Sequence, residues 1–166
     1  VINDVKDRGA PAAGSTGMDD TSAVTPAIQE VAEKLRLPTP LAFTKAAVLW
    51  MQNNIRQIPT SIVPSASDVL DLKQGDCNEF SALFHAIATA AGFPCKIASG
   101  VVYTDGRYFY HSWNEIRAGG RWIPVDPIFN EIPASPKHIK LVEGDFSATW
   151  RLAGCLKTLQ IEILRN

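Results

Sequence analysis

Gly75-Asp76-Cys77-Asn78-Glu79-Phe80-Ser81-Ala82-Leu83-Phe84 runs on as His85-Ala86-Ile87-Ala88-Thr89-Ala90-Ala91 and stops at Gly92-Phe93-Pro94. Phe80, Phe84, Ile87 and Ala91 recur at the three- and four-residue intervals of a buried helix face, and the alanine-rich composition favours a helix. Gly92 and Pro94 end it. Cys77 thus falls in the first turn, where unpaired backbone N–H groups and the positive end of the helix dipole favour a thiolate. That position predisposes it to act as a nucleophile. Free cysteine is also commonly a small buried hydrophobe, and position alone leaves both readings open. Two downstream stretches decide between them: Tyr110-His111-Ser112-Trp113-Asn114-Glu115 and Trp122-Ile123-Pro124-Val125-Asp126-Pro127.

Outward from the helix, the chain alternates helix signals and then strand signals. Residues 1–24 are rich in Gly, Ala, Ser, Thr and Asp without periodicity and read as a flexible arm or linker, leaving 25–166 as a single domain. Thr25-Pro26 starts a helix carrying Ile28, Val31, Ala32 and Leu35, and Thr39-Pro40 starts a second with Phe43, Ala47, Trp50 and Met51 on one stripe. Ile62–Pro64 is a connector. Ser67 is the expected cap of a short helix that turns Val69, Leu70 and Leu72 inward before Gln74-Gly75 breaks it.

After Pro94 the period switches to alternation. Cys95–Tyr103, Arg107–Arg117 and Arg121–Val125 read as strands. Asp105-Gly106 marks a two-residue hairpin, and that turn sets Gly100 opposite His111, leaving open space beside the imidazole. A two-residue loop at Ala118-Gly119 pairs Arg117 with Gly120 and carries Asp126 directly opposite His111, with Cβ atoms about 5 Å apart. A three-residue loop would throw Asp126 onto the other face. Pro127–Pro136 reads as a loop and His138–Val142 as a short strand. Trp150–Cys155 reads as irregular, and Thr158–Leu164 as a closing strand with Leu159, Ile161 and Ile163 on one face.

At 166 residues the chain has the length of one domain with a real core. Its 16 basic and 17 acidic residues are balanced, which gives no electrostatic footing for nucleic acid or an anionic membrane. No phosphate loop, repeat, signal peptide or membrane-length apolar run is visible. The chain opens on Val1, which suggests a processed or excised part of a larger protein. Of Cys77, Cys95 and Cys155 at least one is unpaired; Cys95 and Cys155 read as two buried thiols, with a disulfide as the alternative. The spacing of Cys77, His85, His111 and Asp126 matches none of the usual zinc patterns, so neither a metal nor a cofactor is expected.

A thiol, an imidazole and a carboxylate in the order Cys77, His111, Asp126 supply a nucleophile, a proton carrier and an orienting group for acyl transfer through a thioester. Backbone N–H groups at the helix start, that of Cys77 included, are placed for the developing oxyanion. With Gly92-Phe93-Pro94 leading to Ser99-Gly100, these blocks resemble the transglutaminase-like superfamily of papain-like cysteine enzymes. The bacterial branch is the most similar, and His138-Ile139-Lys140-Leu141 resembles a further block of it.

The resemblance implies an α+β fold, with the nucleophile helix on an antiparallel sheet, and a triad of Cys77, His111 and Asp126. The expected substrate is a peptide or protein; the compartment is left open, with an extracytoplasmic setting favoured. Trp50 or Gln74 stands as a further oxyanion donor. Phe80 and Ile128 depart from the histidine and threonine of many relatives, and no calcium loop is present. Asp76 reads as a helix cap, and His85 as a structural or surface residue. His138 reads the same way, though placed where it could line the cleft. Tyr108 and Tyr110 fall on the strand face opposite His111. Hydrolysis of an amide is the favoured reaction, with amine capture and a non-catalytic binding module as the alternatives.

Overall fold

The computed structural model describes residues 23–59 and 65–144. The expected arm up to Ser22, the Ile62–Pro64 connector, the irregular Trp150–Cys155 stretch, the closing strand and any pairing of Cys155 lie outside these residues. The elements run α1 (Pro26–Lys34), α2 (Pro40–Asn54), β1 (Arg56–Gln57), α3 (Ala66–Leu72), β2 (Gln74–Gly75), α4 (Cys77–Ala90), β3 (Cys95–Thr104), β4 (Arg107–Ala118), β5 (Arg121–Val125) and β6 (His138–Glu143). Helices precede an antiparallel sheet of order β5-β4-β3-β6, so the fold is α+β.

Thr25 and Thr39 cap α1 and α2 as read, each accepting a backbone N–H from three residues on, with proline at the first helical position. For α3 the cap is Ser65 rather than Ser67, because Asp68 completes a reciprocal pair of bonds with Ser65. That start turns Leu72 to solvent, not inward. The short parallel pair β1 with β2 was not expected; it lays Arg56 and Gln57 beside Gln74 and Gly75, just ahead of Cys77.

Helix α4 packs against β3 and β4 on one side and α1, α2 and α3 on the other. Phe80, Phe84 and Ile87 are fully buried and join Phe43, Met51, Ile116 and Val125 in one core. Burying each such side chain contributes about 1.5–3 kcal/mol. The core fixes where the tip of α4 meets the sheet.

The β3–β4 ladder has the expected register, with Gly100 opposite His111. The space at Gly100 is not open, however: a Cβ there would stand 2.0 Å from the Ile139 carbonyl oxygen. Glycine allows the β6 backbone to press onto β3 at the point where their register shifts.

The β4–β5 register differs from the expectation by two residues. The turn is Gly119-Gly120, not Ala118-Gly119, and Ala118 pairs with Arg121. Both turn residues have positive φ, 57° and 78°, as a type I′ turn requires, and Gly119-Gly120 adopts this where Ala118 would be strained. A shift of two keeps parity. Asp126 therefore stays on the His111 face, as a diagonal neighbour rather than the directly opposed one.

Candidate active site

The site forms where β5 leaves the sheet. Pairing of β4 with β5 ends at Asn114 with Val125, and Asp126 next exchanges both backbone bonds with Glu131 at 3.0 and 3.1 Å. Beyond that point β4 has no partner on its β5 side among the described residues. Tyr110 and Asn114 face α4: the Tyr110 hydroxyl donates to Asn78 Oδ1 at 2.7 Å and Asn114 Nδ2 to the Ser81 carbonyl at 3.0 Å. Tyr110 thus lies on the expected face. His111 and Trp113 point to the other face.

On that other face His111 Nε2 is 2.7 Å from Asp126 Oδ2, with both side chains buried. The imidazole stacks on Phe129 at 4.8 Å between centroids, with Trp113 near-parallel at 6.3 Å. Asp126 Oδ1 accepts the backbone N–H groups of Ile128 and Phe129 at 2.8 and 3.0 Å. Gln52 of α2 donates to the carbonyls of Pro127 and Ile128, tying down the same turn. Burial alone would raise the Asp126 carboxyl; hydrogen bonds from two imidazoles and from backbone N–H hold it well below the ordinary range instead.

The second imidazole is His138, which the sequence left as structural, surface or cleft-lining. Its Nε2 is 2.8 Å from the same Asp126 Oδ2 and its Nδ1 is 2.9 Å from the Ser135 carbonyl oxygen. Burial favours the neutral ring, but these acceptors outweigh it and raise the His138 pKa. Its likeness to a block of the bacterial branch was the one sequence signal for it. Gln52 carried none.

Cys77 is the first helical residue of α4 and is half-buried. Asp76 caps the helix as read, accepting from the Asn78 N–H at 2.9 Å, while Glu79 reaches back to the Asp76 N–H at 2.8 Å. The expectation of a favoured thiolate does not hold. Burial first, then the Asp76 carboxylate, push the Cys77 thiol up to about 12; the Ser112 backbone N–H opposes this, and Glu79 and Asp126 add to it. The two carboxylates that cap the helix engage the N–H groups which would otherwise have stabilised the anion, and place negative charge beside it. Of that turn, the Cys77 N–H is the donor neither carboxylate takes.

The sulfur therefore lies by Ser112, in the part of β4 past its pairing with β5, and within electrostatic reach of Asp126. Among the described residues no hydrogen bond links it to His111. Trp50 packs with Lys73 Nζ 5.6 Å above its ring, and Gln74 accepts from Arg56; among the described residues neither bonds the sulfur.

The sequence profile of the transglutaminase-like superfamily matches residues 29–127, from α1 to the residue after Asp126. The chain belongs to the transglutaminase-like superfamily. Among solved structures, a Cytophaga hutchinsonii protein named as a candidate cysteine protease superposes with a TM-score of 0.65 at 22% identity, over 77% of this chain and 47% of its own. The periplasmic domain of TgpA from Pseudomonas aeruginosa gives 0.53 at 20% identity, over 64% of this chain and 43% of its own. Such identities show the fold alone, and this transglutaminase-like chain spans less than half the length of either protein. No curated protein matches it. No helix among the described residues is long and apolar enough to cross a membrane.

Proposed function

We propose that the chain is the catalytic part of a cysteine hydrolase that cleaves amide bonds of peptide or protein substrates, with Cys77 as nucleophile, His111 as proton carrier and Asp126 as its orienting group. The observation that carries this reading is the buried 2.7 Å pair of His111 and Asp126, with the Cys77 sulfur on the neighbouring backbone of Ser112. Asp126 engages Nε2, so Nδ1 is the nitrogen left to act as base.

At rest the sulfur is a thiol, since burial and the neighbouring carboxylates oppose its ionisation. The sulfur attacks the substrate carbonyl as Nδ1 takes its proton, and the oxyanion forms at the Cys77 N–H. The imidazolium then protonates the departing amine, the C–N bond breaks and a thioester remains. Water, deprotonated by His111, attacks that thioester; the acid leaves and the thiol recovers its proton. Asp126 stabilises the imidazolium in both halves. The setting is extracytoplasmic and the chain is part of a longer protein, by analogy with the TgpA domain.

The pushed-up thiol favours one second reading, a binding module that keeps the fold without turnover. Incubation with a glutamine-containing peptide and a labelled amine separates the readings. Release of free acid, lost in Cys77→Ala and His111→Ala, supports hydrolysis. Label incorporation would move the assignment to amine capture, and peptide binding unaffected by Cys77→Ala without any product would establish the binding module.

A further inference from the structure

We propose that His111, Asp126 and His138 form a binding site for a divalent transition-metal ion such as Zn²⁺, and that the ion silences the hydrolytic centre by taking its imidazole. The second half rests on the function proposed above; the first does not. The set differs from the one weighed on sequence spacing, since His138 replaces Cys77 and His85.

The donor atoms are already gathered. One donor atom from each of His111, Asp126 and His138 lies within 4.8 Å of the others, on side chains that are almost wholly buried. The carboxylate oxygen stands between the rings, 2.7 Å from one and 2.8 Å from the other. Metal–ligand bonds of about 2.0–2.2 Å put the ligands of a tetrahedral ion roughly 3.3 Å apart, so each ring moves back from the carboxylate oxygen by about half an ångström while the two ring nitrogens draw toward each other.

The surroundings of these donors have the form that orients metal ligands. The Ser135 carbonyl can only accept, so Nδ1 of His138 carries a proton and Nε2 is the nitrogen presented to a metal. The N–H groups of Ile128 and Phe129 hold Asp126 Oδ1, leaving Oδ2 as a single monodentate ligand. A metal ion would take the place of the two hydrogen bonds that the His111 and His138 Nε2 atoms make to Asp126 Oδ2.

A cavity of about 180 Å³ is walled by His138, Tyr103, Phe129, Glu131, Ser135 and Lys137, with a Glu131 carboxylate oxygen 4.0 Å from His138 Nδ1. Two imidazole nitrogens and one carboxylate oxygen are borderline donors, suited to Zn²⁺, Cu²⁺, Co²⁺ or Ni²⁺ rather than to Ca²⁺ or Mg²⁺. Three protein ligands leave a fourth position to water. With the ion bound, Nε2 no longer donates to Asp126 and the ring is displaced from its working orientation.

The test uses the whole 166-residue chain, stripped with chelator and titrated with Co²⁺ and Zn²⁺ by absorption and calorimetry. One ion per chain, with the intense visible bands of four-coordinate Co²⁺, is expected. His138→Gln retains an N–H donor toward Asp126, so it should fold with a similar melting temperature, yet lose affinity by about a hundredfold or more. Cys77→Ala should bind like the wild type. A folded chain that binds neither ion, or affinity unchanged in His138→Gln, or affinity abolished by Cys77→Ala, would overturn the proposal. In peptide hydrolysis, Zn²⁺ should inhibit and chelator should restore the rate. Absence of turnover in the metal-free chain would refute the hydrolase reading alone, because binding is read without activity.

Discussion

The two halves of the site are built on opposite electrostatic plans. At the tip of α4, Asp76 and Glu79 surround the Cys77 sulfur, so negative charge there is opposed. On the far face of β4, every polar contact of the Asp126 carboxylate among the described residues is a donor: two imidazoles on one oxygen and two backbone N–H groups on the other. One half rejects an anion and the other collects one. The contrast teaches that a cysteine at a helix start is not thereby a thiolate; its proton must be removed during the reaction, by a base whose own cation has been provided for.

The largest effect should come from breaking that division of labour. Cys77→Ala or His111→Ala should each lower peptide hydrolysis by about a thousandfold or more, and the double variant should be no worse than either single one, since the two groups act as a unit. Losses that multiply would show that they do not cooperate. Steady-state kinetics on a fluorogenic peptide decides it.

Next in size is a change that leaves both halves chemically intact and moves only the scaffold. Gly100→Ala forces a Cβ onto the Ile139 carbonyl at the turning point of the β3–β6 ladder. It should lower stability by about 3 kcal/mol, seen as a fall in the urea midpoint, and should draw His138 away from Asp126. An unchanged midpoint would mean that β6 does not press on β3 there.

How much of this the sequence displayed depends on which force decided each feature. Asp105-Gly106 admits one turn, and the β3–β4 register follows from it. Ala118-Gly119-Gly120 offers several turns, and the one adopted is chosen by the need for positive φ at both central residues. The reading missed by two positions, and Asp126 kept its face because two is even. The acidity of Cys77 was misread because Asp76 was weighed as a helix cap, and neither it nor Glu79 as a charge 1 or 2 residues away. His138 reaches Asp126 across a proline-rich loop whose path no periodicity describes. Phe129 and Gln52 reach the site in the same way, through tertiary packing alone.

The charges at the helix tip can be removed separately. Burial first, then the Asp76 side chain, raise the Glu79 carboxyl to about 7 from the 4.5 of an unperturbed group. A carboxyl raised in the folded state contributes stability that is complete below pH 4.5 and is lost as pH climbs through about 7, because the unfolded chain ionises first. Glu79→Gln keeps an acceptor for the Asp76 N–H and removes the charge. It should be nearly neutral at pH 4.5 and stabilising by about 2 kcal/mol at pH 8. Urea unfolding at both values checks this, and an equal difference at the two would show that Glu79 carries no such burden.

The mildest change is the sharpest probe of the sulfur. Asp76 heads the charges that raise the Cys77 thiol, and Asn caps a helix about as well as Asp, so Asp76→Asn should leave α4 in place while removing the negative group beside the sulfur. The thiol should then ionise about one unit lower, and iodoacetamide should alkylate Cys77 roughly tenfold faster at pH 8, where the thiolate is the minor reactive form. Burial persists, so the pKa should still lie above that of a free cysteine. If the rate does not move, the neighbouring carboxylate is not what restrains the sulfur and desolvation alone governs it. If it moves while hydrolysis stays unchanged, proton removal by His111 within the reaction, and not the standing amount of thiolate, sets the rate.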